Sequence, residues 1–517
     1  MRVLIANPAF VRDLGGGLER YVLGAGMRFP WSLLKRSDER PRYAMFPLFM
    51  AYAAALLERE GFEVRVIDAV PLNLRLAELV ERVRECRPDA VLLEPNAAII
   101  DDTLALLVRL REVSDARFVL AGTHATATAR DLLVNHGIVD FVVLGEYERT
   151  ALQLMKGLRD GLPVVSLPGV ACRDERGGLV INARAEAIDP LDELPYPARH
   201  LFPAYFDTDM GAYRDGFCQH SPSFHMHTSR GCPFQCNFCD RIQVLFASSR
   251  QRYFSARRIV DEMEHVKAAG AREIYFDDDN FTTYKAHVIA LCDEIVSRRV
   301  GVPWSAMCDA IALTPKLLAK MAGAGCVGIK FGLDSADARV LHEIRKPLKL
   351  ANLEKIVAAA RRLHIKTHMS VVLGLTGETR ETLQRTFDYS CAIDIDSIQF
   401  SVATPLPGTA MFDTLQAQGA LTAEGWSEYD GANTAVMRYK HLSKPDLESF
   451  MAESHSRWLR AKFRQPRWLL RQLRFVARTA ASQGLPGVWG RFIRAVQLLR
   501  GDARQVRVEG ELKTMRY

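Results

Sequence analysis

Between residues 3 and 158 the hydrophobic period switches repeatedly between two and 3.6 residues, and this alternation limits the fold more than any other feature. Short apolar runs at 3–6, 63–67, 89–93, 117–121 and 141–144 read as strands. Runs at 44–60, 74–86, 102–113, 127–136 and 149–158 carry helical spacing. Strands that each lead into a helix predict an α/β fold with a doubly wound, Rossmann-like parallel sheet. Ligands of such sheets sit at the carboxyl ends of the strands. Here those ends carry Asn7, residues 94–97 with Glu94 and Asn96, residues 122–126 with Gly122, Thr123 and His124, and Gly145 and Glu146. No G-x-G-x-x-G follows the first strand, so a dinucleotide site is not favoured. Gly15, Gly16 and Gly17 fall in an expected loop over 9–43 without the Lys-Ser/Thr of a phosphate loop, and read as a flexible turn or a ligand contact.

At 517 residues the chain has room for about three domains. With 48% hydrophobic and 25% charged residues it is globular, and a net charge of +7 does not mark a nucleic-acid binder. Ten cysteines are too few for a disulfide scaffold, and Met1 leads straight into a strand-like run rather than a signal peptide. The longest uncharged apolar run, 44–57, has 14 residues and contains Pro47, too short to span a bilayer. A cytoplasmic, reducing location is expected, where clustered cysteines are metal ligands rather than disulfides.

Cys232, Cys236 and Cys239 form such a cluster, spaced C-x3-C-x2-C in a loop after the strand-like run 224–228. Thiolates select zinc or iron–sulfur centres. Structural zinc wants four ligands. Three thiolates on a cubane leave one iron open to another ligand. The other cysteines are dispersed and read as small buried hydrophobes, with Cys218, Cys308 and Cys326 as minor site candidates. Downstream, strand-like runs at 273–276, 303–308, 327–332, 367–373 and 397–403 are each followed by a helical run. With 224–228 they make six β/α units, an open partial barrel with chemistry at the carboxyl ends of its strands.

The C-x3-C-x-aromatic-C pattern resembles the signature of radical S-adenosylmethionine (SAM) enzymes, and the preceding domain is similar to the cobalamin-binding domain of one large branch. The resemblance covers roughly residues 1–430 and implies three cofactors: a 4Fe–4S cluster on Cys232, Cys236 and Cys239, SAM, and cobalamin. It implies that SAM chelates the open iron, with Phe238 beside adenine. Asp277 and Asp278 stand where the family often has Gly-Gly-Glu, implying contact with the methionine amino group. Asp334 and Ser335 resemble a ribose-contacting Glu-Ser, and Val372 and Gly374 the adenine-side motif of the fifth strand. Cobalamin would contact Asn7, Asn96, Gly122, Thr123, His124, Gly145 and Glu146; the D-x-H-x-x-G that supplies a lower axial histidine in mutases is missing. The activity implied is radical C-methylation of an unactivated carbon, as in class B methyltransferases. The alternative is oxidative cyclisation or ring rearrangement, as in anaerobic tetrapyrrole cyclases and hopanoid-tailoring enzymes. The expected partners are a small-molecule substrate, lipid or polycyclic among the options, and a flavodoxin or ferredoxin as electron donor. An RNA-modifying reading predicts a second cysteine set near the N-terminus, where only Cys86 occurs.

The expected division is a cobalamin domain at 1–187, a Pro-rich linker at 188–218, a radical SAM core at 219–430 and a basic helical region at 431–517. From Arg457 to Arg504 twelve Lys or Arg face one acid, with Trp458, Phe463 and Trp468 interleaved. Such a stretch packs its aromatic residues on the barrel, lies on an anionic membrane surface, or grips an acidic partner.

Overall fold

The computed structural model describes residues 1–26, 31–38, 44–202, 213, 217–432, 434–473 and 475–476. The N-terminal strands are β1 (Arg2–Asn7), β2 (Phe10–Asp13), β3 (Leu18–Leu23), β4 (Trp31–Arg36), β5 (Glu63–Asp68), β6 (Ala90–Leu93), β7 (Arg117–Leu120), β8 (Phe141–Val143), β9 (Val170–Arg173) and β10 (Leu179–Ile181). A seven-stranded sheet runs in the order β10-β9-β8-β7-β6-β1-β5. Its five expected strands pair in parallel, while β9 and β10 extend it antiparallel. Within the expected 9–43 loop the structure instead places an antiparallel sheet of β2, β3 and β4, with Gly15, Gly16 and Gly17 at positive φ in the β2–β3 turn; residues 27–30 and 39–43 lie outside the described residues.

The second domain contains β11 (Ser223–Met226), β12 (Ser229–Arg230), β13 (Arg252–Tyr253), β14 (Glu273–Phe276), β15 (Trp304–Met307), β16 (Cys326–Asp334), β17 (Lys366–Leu373) and β18 (Ser397–Val402). Six of them form a parallel sheet in the order β11-β14-β15-β16-β17-β18, the partial barrel that the six units predict. β12 and β13 make a two-stranded ribbon beside the cysteine loop, with Arg230 opposite Arg252.

The apolar run at 44–57 supplies helix Leu48–Arg59, whose residues Leu48 to Leu57 are all buried. A helix apolar on every side must be covered on every side, and this one lies between the domains. Phe49 packs on Tyr147 of the first domain and His227 of the second, and Tyr52 stacks on Phe254. The chain after the barrel returns to its wall through helix Lys444–Phe463. Trp458 Nε1 donates to Ser390 O at 2.9 Å and Lys462 Nζ to Ile393 O at 2.6 Å, so the start of the basic stretch packs on the barrel. Leu470 and Leu473 are exposed. Residues 203–212, 214–216, 474 and 477–517 of the expected linker and basic tail lie outside the described residues. Among the described residues no helix is long and apolar enough to cross a membrane.

Candidate active site at the domain junction

The cysteine loop leaves β11 over a turn held by the acidic run after β14. Asp278 is buried and accepts Thr228 N at 2.6 Å, Ser229 N at 3.1 Å, Ser229 Oγ at 3.0 Å and the Thr228 hydroxyl. Burial pushes its carboxyl up to about 6. Asp279 accepts Gly231 N at 2.9 Å and Arg241 Nε at 3.0 Å. Asn280 Nδ2 lies 3.6 Å from Cys232 Sγ. Gly231 has φ +90, and a Cβ there would fall 2.7 Å from Arg250 O, so the turn before Cys232 requires glycine. Farther along, Gln243 Nε2 donates to Cys236 O at 2.9 Å, and Cys239 N to Cys236 O at 3.1 Å. Of the two aspartates expected at the SAM amino group, Asp278 is wholly engaged by the protein as a clamp on the loop. Asp277 is buried beside it, its N–H donating to Met226 O at 2.8 Å.

The three thiols are half-buried. As thiols they are pushed up by burial, Cys232 to about 12, Cys236 to about 11 and Cys239 further. Thiolates at such a place need positive charge at sulfur, which iron supplies. Among the described residues no three Cys, His, Asp or Glu side chains converge on a single ion. A cubane binds each thiolate through a different iron, and three thiolates fall one short of the four ligands that structural zinc wants, so the donor set suits a cluster.

Across the barrel mouth Asp334 ion-pairs with partly buried Lys346, whose Nζ also donates to Gly332 O at 2.8 Å. Lys346 acts electrostatically on Cys236 and Asp309 as well, so the cysteine loop and the ends of β15 and β16 share one charged neighbourhood. Ser335 is fully buried, 3.3 Å from Thr386 Oγ1, and accepts Asp337 N at 3.2 Å. Val372 is half-buried in β17, and Phe238 packs against the core beside the cysteines. Gly374 is covered rather than open: its added Cβ would lie 2.4 Å from Leu447 Cδ2 of the C-terminal helix. Its N–H donates to Glu378 Oε2 at 2.6 Å.

The strand ends of the first domain face this loop. Thr123 hydrogen-bonds Asp240, the residue after Cys239. Gly145 N donates to Thr126 Oγ1 at 3.0 Å. Glu146 pairs with Arg252, Nη1 at 2.9 Å, and accepts Ile188 N at 3.1 Å. Asn7 Nδ2 donates to Asp68 Oδ1 at 3.0 Å, and Asn96 caps the turn at Ala98 N, 3.1 Å. Glu94 fills the space at Gly122, where a Cβ would lie 2.8 Å from its Cγ, and takes the Tyr147 hydroxyl at 2.7 Å. Burial pushes Glu94 up to about 7. His124 is buried, with Nδ1 unpartnered among the described residues and Trp426 edge-on at 4.8 Å. A buried nitrogen without a hydrogen-bond partner is costly, and a bound cofactor beside these strand ends would supply one, so the residues fit a ligand here. Of the expected cobalamin contacts, Asn7, Asn96, Thr123, Gly145 (through its N–H) and Glu146 have protein partners. Sequence reasoning missed Tyr147, Glu148, Arg230, Arg241, Lys346 and Trp426. Arg230 and Arg241 lie two residues outside the first and last cysteines, which was the available signal.

Residues 226–390 match the radical SAM superfamily, and residues 40–155 match the B12 binding domain. The chain is 28% identical over 420 residues to an uncharacterized methyltransferase of Pyrococcus horikoshii, covering 80% of this chain and 88% of that protein. It is 26% identical over 475 residues to the anaerobic magnesium-protoporphyrin IX monomethyl ester cyclase of Cereibacter sphaeroides, covering 86% and 74%. Among solved structures, the fold is similar to the radical SAM methyltransferase TsrM of Kitasatospora setae, solved with cobalamin and a [4Fe-4S] cluster, at TM-score 0.63 and 20% identity over 82% of this chain and 79% of that one. The chain thus joins an N-terminal B12-binding domain to a radical SAM domain.

Proposed function

We propose that the protein is a cobalamin-dependent radical SAM C-methyltransferase acting on an unactivated carbon of a small molecule. The observation that carries the reading is the position of the cysteine loop, seated at the barrel mouth and pressed against the strand ends of the B12-binding domain. Cys232, Cys236 and Cys239 would hold the cluster, and the face carrying Gly122, His124 and Gly145 would hold cobalamin. Bound together, these groups and SAM supply a 5′-deoxyadenosyl radical for hydrogen abstraction and a methyl group for transfer. The protein's own part is placement. Asp278, Asp279 and Asn280 fix the loop, and Lys346 sets a positive charge beside Cys236 and Asp334. Helix Leu48–Arg59 closes the junction against water, which keeps reactive groups in near-attack geometry and suppresses side reactions. A flavodoxin or ferredoxin is the proposed electron source.

The second reading, oxidative cyclisation without methyl transfer, is favoured by the match to the anaerobic cyclase. Anaerobic incubation with deuteriomethyl-labelled SAM, a low-potential reductant and extracted metabolites separates the two. Labelled methyl in a product, with 5′-deoxyadenosine, supports methyl transfer; 5′-deoxyadenosine with an unlabelled, altered product supports the cyclase. Cys232→Ala, Cys236→Ala and Cys239→Ala should each lose cluster iron and SAM cleavage. Retained 5′-deoxyadenosine formation in any of them overturns the ligand assignment.

A further inference from the structure

Both flanks of the cysteine loop are anchored in the B12-binding domain as well as in the barrel. Upstream, Arg230 is fully buried, with Nη2 2.6 Å from Glu148 Oε1 and Nη1 3.8 Å from Glu146 Oε1. Its guanidinium lies 4.6 Å from the ring centre of Phe49 and 5.1 Å from that of Tyr52, both on the junction helix. Downstream, Asp240 meets Thr123, and Arg241 lies 4.8 Å from the same Phe49 ring while holding Asp279. Arg252, paired with Arg230 across the β12–β13 ribbon, grips Glu146 and donates to Ile188 O at 2.6 Å.

A buried ion pair recovers little stability over an apolar substitute, and its best-attested use is to fix register. Arg also presents a planar fork that stacks on aromatic faces and directs its hydrogen bonds. Both properties suit a fixed spacing between the loop and the neighbouring domain.

We propose that Arg230, held by Glu148 and by the faces of Phe49 and Tyr52, is a positioning residue that sets the distance between the cysteine loop and the cofactor face of the B12-binding domain. The proposal rests on the two-cofactor reading above. A reduced 4Fe–4S cluster and cob(II)alamin are both paramagnetic, and their dipolar coupling falls steeply with separation. The experiment compares holoenzyme reconstituted with iron, sulfide and cobalamin for wild type, Arg230→Lys, Arg230→Met and Arg230→Met/Glu148→Gln. The double variant leaves no buried carboxylate without its cation, so it stands in if Arg230→Met alone does not fold. Iron and corrinoid contents should stay at wild-type values. The dipolar splitting should smear into a distribution in Arg230→Met and the double variant, and to a lesser degree in Arg230→Lys, which keeps the charge but not the planar fork. A double variant with the wild-type splitting overturns the proposal.

Wild-type protein without iron or corrinoid would defeat the functional reading instead. Hydrogen exchange of residues 229–246 in the protein as isolated then decides the positioning claim. Faster exchange in the double variant supports it, and equal protection overturns it.

Discussion

Glu378 shows how one carboxylate can govern a site edge. Its Oε2 accepts Gly374 N at 2.6 Å and Leu375 N at 3.0 Å, its Oε1 is buried without a hydrogen-bond partner, and burial pushes it up to about 8. A carboxyl raised this far is neutral in the fold near pH 7 and charged in the unfolded chain. Its contribution is therefore full below its ordinary range near 4.5 and is lost as pH rises through about 8. Glu378→Gln mimics the neutral acid, so its Tm should fall less than that of wild type between pH 6.5 and 9. The gap should reach several degrees, because 1 kcal/mol moves Tm by roughly 2–4 °C in domains of this size. Parallel Tm curves across that range would contradict the assignment. At this scale the cysteines were legible because C-x3-C-x2-C is a local pattern. The roles of Asp278 and Glu146 were not, because both carboxylates bind partners far away in sequence: Asp278 holds Thr228 and Ser229, and Glu146 holds Arg252.

At the scale of elements, the parallel strands were legible because each is a short apolar run between polar breaks. The antiparallel pieces were not. β3 and β4 enclose a buried ion pair, Lys35 Nζ to Glu19 Oε2 at 2.6 Å, and those charges mask the strand pattern. β9 and β10 are only four and three residues long. The helix expected at 127–136 divides into Gly122–Ala127 and Ala129–Asn135, where Thr128 Oγ1 donates to His124 O at 2.8 Å. The expected helix at 44–60 exists from Leu48 to Arg59, but its meaning changed: an apolar run too short for a membrane is the wedge between domains. The C-terminal helix is fastened by single large side chains. Trp458 is buried with its Nε1–H donated to Ser390 O, so Trp458→Ala should cost about 3–5 kcal/mol locally. Limited proteolysis should then cleave within 444–473 faster, while the N-terminal domain keeps its protection. An unchanged cleavage pattern would show that the helix is held by other contacts.

For the whole molecule, domain order was legible from two successive strand–helix patterns and one cysteine motif. The contact between the domains was not, because Arg230, Arg241, Phe49, Glu146 and Glu148 come from segments far apart in the chain. That contact presses the cysteine loop on the B12-binding domain, so the two proposed cofactor positions become parts of one site. The most direct test is anaerobic purification with cobalamin supplied, followed by iron, sulfide and corrinoid quantitation on one sample. The account predicts about four irons and about four sulfides per chain, as one 4Fe–4S cluster requires, together with about one corrinoid, as a single B12-binding site requires. A full complement of iron and sulfide with no corrinoid would contradict it, leaving a radical enzyme whose first domain serves some other purpose.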